Sequence, residues 1–151
     1  MAQVDDVAAR IVDHFDTAIT TMKLQKLCYM AQGWSLGLRG KPLFDADFQA
    51  WRHGPVCKPL FDQHKKMFVV DSWPSGDGSN LTRDERVIVR AILKQYDSFT
   101  GQELSELTHE PRTPWRVTRR RAGVRENESS SAVIPKKLIR EFFEDELLAE
   151  Y

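Results

Sequence analysis

The chain has 151 residues, with 22 Lys and Arg against 22 Asp and Glu, so its formal net charge is zero. A chain of that length buries about 70% of the surface its unfolded form exposes, enough for an unaided core. The balanced charge excludes a global field drawing the protein to nucleic acid or an anionic membrane, so any such role must come from a local patch.

No apolar run approaches the ~20 residues that span a bilayer, and no charged leader precedes an apolar core, so the cytoplasm is the expected location. Cys28 and Cys57 lie far apart without CxxC spacing and are expected to be reduced, structural thiols.

The first predicted helix runs from about Asp5 to Phe15, with Val4, Val7, Ala8, Ile11, Val12 and Phe15 on one stripe. Thr20 or Thr21 caps a second. Its Leu24, Leu27, Cys28, Ala31, Trp34 and Leu38 recur at spacings of three and four, which is one helical face. Gly40 ends it, with Pro42 just beyond. From Phe44 to Trp51, Phe44, Ala46, Phe48 and Ala50 alternate, which fits a short strand or extended arm as well as a helical turn.

Gly54-Pro55 breaks the chain and presets a helix start, with Val56, Leu60, Phe61, His64 and Met67 following on one face. Phe68 to Val70 suits a brief strand or a helix end, and residues 73–80 form a surface loop by composition. Thr82 with Glu85 and Thr100 with Glu103 are capping-box pairs, each ahead of an apolar periodic run. Two prolines, Pro111 and Pro114, keep the next segment non-helical at its start, and Trp115 can open another short helix. Residues 125–132 are a polar loop, and Ile134-Pro135 opens a last helix that packs Leu138, Ile139, Phe142, Phe143 and Leu147 inward. The expected fold is mainly α: a single compact helical domain over residues 1–151, of about six helices, with room for one short β element.

Catalytic constellations are scarce. His14, His53, His64 and His109 show no HExxH pairing, two isolated cysteines make no local zinc site, and no metal or cofactor is expected. Gly76-Asp77-Gly78 lacks the lysine and the setting of a phosphate loop. An enzyme would need an acid/base pair assembled around His53, or around His109 and Glu110.

The sharpest charge feature is Arg112, Arg116, Arg119, Arg120, Arg121 and Arg125, with no acid between Pro111 and Arg125. Such a run can contact phosphates, pair with an acidic protein surface, or remain a solvated face balanced by Glu141, Glu144, Asp145, Glu146 and Glu150. Trp51-Arg52-His53-Gly54-Pro55-Val56 gathers residue types common in binding hot spots at a chain reversal, while also reading as a turn with Trp51 and Val56 in the core. Trp34 and Trp115 read as core anchors.

Three segments resemble the SocA-like or GepA-like proteins, the Panacea antitoxin domain. Thr21 to Trp34, TMKLQKLCYMAQGW, resembles that family's LKLQKLLYYAQGW helix; Lys41 to Phe44 with Ala50 to Val56 resembles its KPLF and AWxxGPV segment; and Gly101 to Trp115 resembles its LSxxTHxExPW region. Cys28 and Met30 stand where the family often has Leu and Tyr. The resemblance implies a non-enzymatic antitoxin that binds a cognate toxin encoded nearby, and in SocA-type members an adaptor delivering it to an ATP-dependent ClpXP-type protease. Candidate partner-binding residues are Lys23, Arg52, His53, Arg112, Arg116, Arg119 and Arg120, the first three as exposed motif members. The rival expectation is a nucleic-acid-binding regulator using Arg112 to Arg125.

Overall fold

The computed structural model of the chain describes residues 1–149, and the long apolar stretch after Thr20 is its axis. Helix α1 (Val4–His14) buries Val4, Val7, Ala8, Ile11 and Val12, as the stripe requires. Strand β1 (Ile19–Thr20) leads straight into α2 (Thr21–Arg39). There the Thr20 hydroxyl accepts from the Lys23 amide, and Gly40 closes the far end with a φ of 69°.

Strands β2 (Gln49–Trp51) and β3 (Gly54–Val56) form an antiparallel hairpin with Ala50 opposite Pro55. Helix α3 (Lys58–His64) follows, and β4 (Val69–Val70) returns to pair with β1. A single 3₁₀ turn, Gly78–Asn80, precedes α4 (Arg83–Tyr96) and α5 (Gly101–His109). Both helices start with complete capping boxes, at Thr82/Glu85 and Thr100/Glu103. Helices α6 (Pro114–Arg121) and α7 (Lys136–Leu148) complete the chain.

The architecture is mainly α, with seven helices and two short β ladders among the described residues. The expected mainly α domain of about six helices, with room for a short β element, is what the structure shows. Gly54-Pro55-Val56 is a strand and not a helix start; α3 begins at Lys58, with Pro59 in its first turn. It stops at His64, so Met67 stands half exposed and off the helix. Val87, on α4, is also half exposed.

Helix α2 differs from the one-faced helix expected. It lies against α1, α4, α5 and α7 at once, so all of its sides are covered, while Leu38 at its end is 54% exposed. Gln25, Lys26, Gln32 and Ser35 are therefore buried beside Leu24, Leu27, Cys28 and Ala31. Burial of polar groups is tolerable only with hydrogen bonds, and here the irregular chain after α2 supplies them. Gln32 accepts from the Leu43 amide at 2.8 Å and donates to the Phe44 carbonyl at 2.8 Å. The Ser35 hydroxyl donates to the Lys41 carbonyl at 2.8 Å. Polar side chains on the central helix thus pair backbone of this segment that its bridge to Ala2 leaves over.

The α2/α7 seam is close because α2 presents glycine to it. A Cβ at Gly33 would fall 2.3 Å from Phe143 Cε2, so only the bare backbone admits the ring.

Candidate functional site: a clamped hairpin and its tip

The β2–β3 hairpin carries the WRHGPV sequence, and side chains from three helices hold its carbonyls. Arg119 Nη1 on α6 donates to the Ala50 carbonyl at 2.8 Å, and Trp115 Nε1, also on α6, donates to Trp51 O at 2.6 Å. From α5, Ser105 Oγ donates to His53 O at 2.6 Å, and His109 Nε2 lies 3.4 Å from Arg52 O. From α2, Lys26 Nζ donates to Pro55 O at 3.0 Å, and Gln25 brackets Cys57 by accepting from its amide and donating to its carbonyl. On the outer side, the Ala50 amide donates to Ala132 O and the Ile134 amide donates to Phe48 O, both at 2.8 Å. Each such bond contributes about 1 kcal/mol net, and together they leave the hairpin little freedom.

Two groups make this clamp exacting. Lys26 is fully enclosed and has no carboxylate partner among the described residues, so burial pushes its ammonium down to about 7. Gly54 sits over it with φ of 123°, where a Cβ would meet Lys26 Cε at 2.6 Å; glycine alone fits both the backbone angle and the space. Beneath the hairpin, buried Trp115 has the His109 ring 3.8 Å away and the Arg119 and Arg116 guanidinium groups 5.0 and 5.6 Å from its centroid. Nearby, Gln25 Nε2 donates to His64 Nε2 at 2.9 Å, and burial holds the His64 imidazole below its usual value, favouring the neutral form that accepts this bond.

The candidate partner-binding residues separate clearly. Arg52 and His53 form the exposed tip of the hairpin, and their side chains have no hydrogen bond or ion pair among the described residues. His53 lines two clefts, one of about 490 Å³ with Trp51 and Ser129 to Ser131, the other of about 400 Å³ with Ser105, Glu106 and Glu110. Arg120 is exposed on α6, and exposed Arg112 takes a φ of 71°, a left-handed backbone uncommon outside glycine.

Arg116 is half committed: its Nη2 and Nε donate to His109 O at 2.6 and 3.1 Å, and Nη1 reaches Glu126 at 3.5 Å. Arg119 is not a surface cation. It is 3% exposed and spends its guanidinium on the carbonyls of Ala50, Arg125 and Glu128. Lys23 is also occupied, donating to Asp97 O at 2.6 Å and standing over the Phe15 ring, with burial lowering its ammonium pKa.

The arginine run is thus no uniform cationic face. The acids near it are Glu126 and Glu128, whereas Glu141 and Glu144 pair with Lys137 and Arg140 within α7. His109 Nδ1 lies 2.6 Å from Ser105 O, so that ring serves the clamp and makes no hydrogen bond to Glu110. The clamp residues Gln25, Lys26, Ser105 and Trp115 escaped the site reading; only their presence in the three motif segments marked them. No group of three or more potential metal ligands occurs among the described residues, and no helix there is long and apolar enough to cross a membrane.

Comparisons with known proteins match the part of the chain that holds most of these residues. The family described as "Antitoxin SocA-like, Panacea domain" matches residues 24–116, an interval that starts just before the clamp residues Gln25 and Lys26 and ends just after Trp115. A curated protein described as "Antitoxin SocA", from Caulobacter vibrioides (strain NA1000 / CB15N), is 46% identical over 114 residues, covering 68% of this chain. The match spans 61% of that relative's length. No solved structure matches the chain. The matched interval covers more than half of the chain and holds most of the central helix, the hairpin and every side chain that clamps it except Arg119; by these matches the chain belongs to the SocA-like antitoxin family, the Panacea domain.

Proposed function

We propose that this protein, acting as one domain over residues 1–151, is the antitoxin of a bacterial or phage toxin–antitoxin pair. It neutralises a cognate toxin encoded nearby by direct binding, without catalysis, and delivers it to an ATP-dependent ClpXP-type protease. The observation that carries this reading is the clamped hairpin, whose backbone is fixed by α2, α5 and α6 while the side chains of Arg52 and His53 stand outward without partners among the described residues. A rigid scaffold presenting uncommitted polar side chains suits recognition, since little entropy remains to be lost when a partner docks. Exposed Arg112 and Arg120, with the half-committed Arg116, are further cations that suit an acidic surface on the toxin. Arg119 and Lys23 serve the fold in this reading.

The test is co-expression with the neighbouring gene product in a growth assay, followed by co-purification. The chain should restore growth and retain the toxin, and Arg52→Glu combined with Arg120→Glu should lose both while melting unchanged. Absence of growth rescue by the unaltered chain rejects the antitoxin role. Rescue without faster loss of the toxin, in cells with and without the protease, rejects only the delivery step.

A further inference from the structure

The ladder of β1 and β4 lies outside the clamp and ends in an apolar segment. Met67, Phe68 and Val69 are consecutive and 50%, 79% and 44% exposed. Isolated exposed apolar residues are ordinary, but three in succession around a strand mark a contact surface. The ladder has two strands, and its register sets Thr20 opposite Val69 and Ile19 opposite Val70. The Thr21 amide donates to Phe68 O at 3.0 Å, so Thr20 and Val69 are the non-hydrogen-bonded pair between the ladder's bonds. The Val69 N–H and C=O therefore point away from β1, towards the free edge. Just before them, exposed Lys65 and Lys66 have no ion pair among the described residues. A strand edge, an apolar row and two uncommitted cations lie together.

We propose that this edge receives an extended segment of the toxin, apolar along its length and carrying carboxylates, which adds as a strand beside β4. Backbone bonds to Val69 align it, Phe68 and Met67 are covered by its apolar side chains, and Lys65 and Lys66 face its acids. The commitment to an acidic segment comes from the charge at the edge. The inference rests on the toxin-binding reading and adds a contact apart from the hairpin tip.

The experiment measures binding of the protein encoded beside this chain to the unaltered chain, to Phe68→Glu and to Lys65→Glu/Lys66→Glu. Phe68→Ser serves as a milder change, and melting is recorded for each. Phe68→Glu and the double lysine variant should each weaken binding at least about tenfold, with melting unchanged at these exposed positions. Association of the lysine variant should also depend less steeply on salt than that of the unaltered chain. If the unaltered chain binds and Phe68→Glu and Phe68→Ser bind equally well, the docking assignment is overturned while the toxin reading stands. If the unaltered chain does not bind, the toxin reading itself falls.

Discussion

Replacing Lys26 with Met should leave a pH-dependent mark on the stability of the protein. In the folded chain burial lowers the ammonium from an ordinary value near 10.5 to about 7. Between those two values the unfolded chain holds a proton that the folded chain does not, so this group makes stability rise with pH. The size follows from about 1.4 kcal/mol per pH unit: burying this amine costs about 4 kcal/mol at pH 7 and about 2 kcal/mol at pH 9. The substitution removes that cost but leaves the Pro55 carbonyl without its donor, a loss of about 1 to 3 kcal/mol at either pH. The variant should therefore be more stable than the parent at pH 7, and the gap should shrink by about 2 kcal/mol by pH 9. Urea unfolding followed by tryptophan fluorescence at pH 7, 8 and 9 gives both stabilities. Cys28 and Cys57, whose thiols burial pushes up, are present in both proteins and cancel in the difference. A gap that stays constant over this range, or widens, refutes the placement of an unpaired lysine in the core.

Other expectations are simpler. Gly33→Ala should destabilise by about 1 to 3 kcal/mol, because the new methyl strikes the Phe143 ring, and Phe143→Leu on that background should recover part of the loss; equal stabilities of the two proteins would contradict the seam. Arg119→Lys should cost about 2 kcal/mol by abandoning carbonyls that a guanidinium fork reaches together, whereas Arg120→Lys should change stability by less than about 0.5 kcal/mol; thermal melts of the pair distinguish clamp from surface. Thr82→Ala should cost about 1 kcal/mol in the same assay by removing the cap from the Glu85 amide.

What could be read from the chain was local. Both capping boxes, the Gly40 stop and the stripe of α1 depend on residues within one or two helical turns and appear where the spacing put them, while the α7 stripe buries Ile139 and Phe143 and leaves Leu138, Phe142 and Leu147 partly exposed. What escaped was set by distant contacts. Lys26 and Arg119 are cations, and periodicity places cations outward, but each is drawn inward by a carbonyl of the hairpin 29 and 69 residues away in sequence. Pro55 satisfies the backbone of a helix start as readily as that of a short strand, so only its pairing opposite Ala50 decides between them. Of the candidate contact residues, Arg52 and His53 were legible because a turn must expose its tip. The split within the arginine run depended on where Trp115 is seated.

The clamp grips the hairpin almost wholly by main-chain oxygen atoms, and an oxygen atom of the main chain is the same whatever residue bears it. Positions 52 and 53 can therefore change identity without disturbing the bonds that fix them. The hairpin behaves as a socket with interchangeable bits: one unchanging mount and two replaceable side chains. A domain built in this way can exchange the side chains at its tip while its folding stability stays untouched.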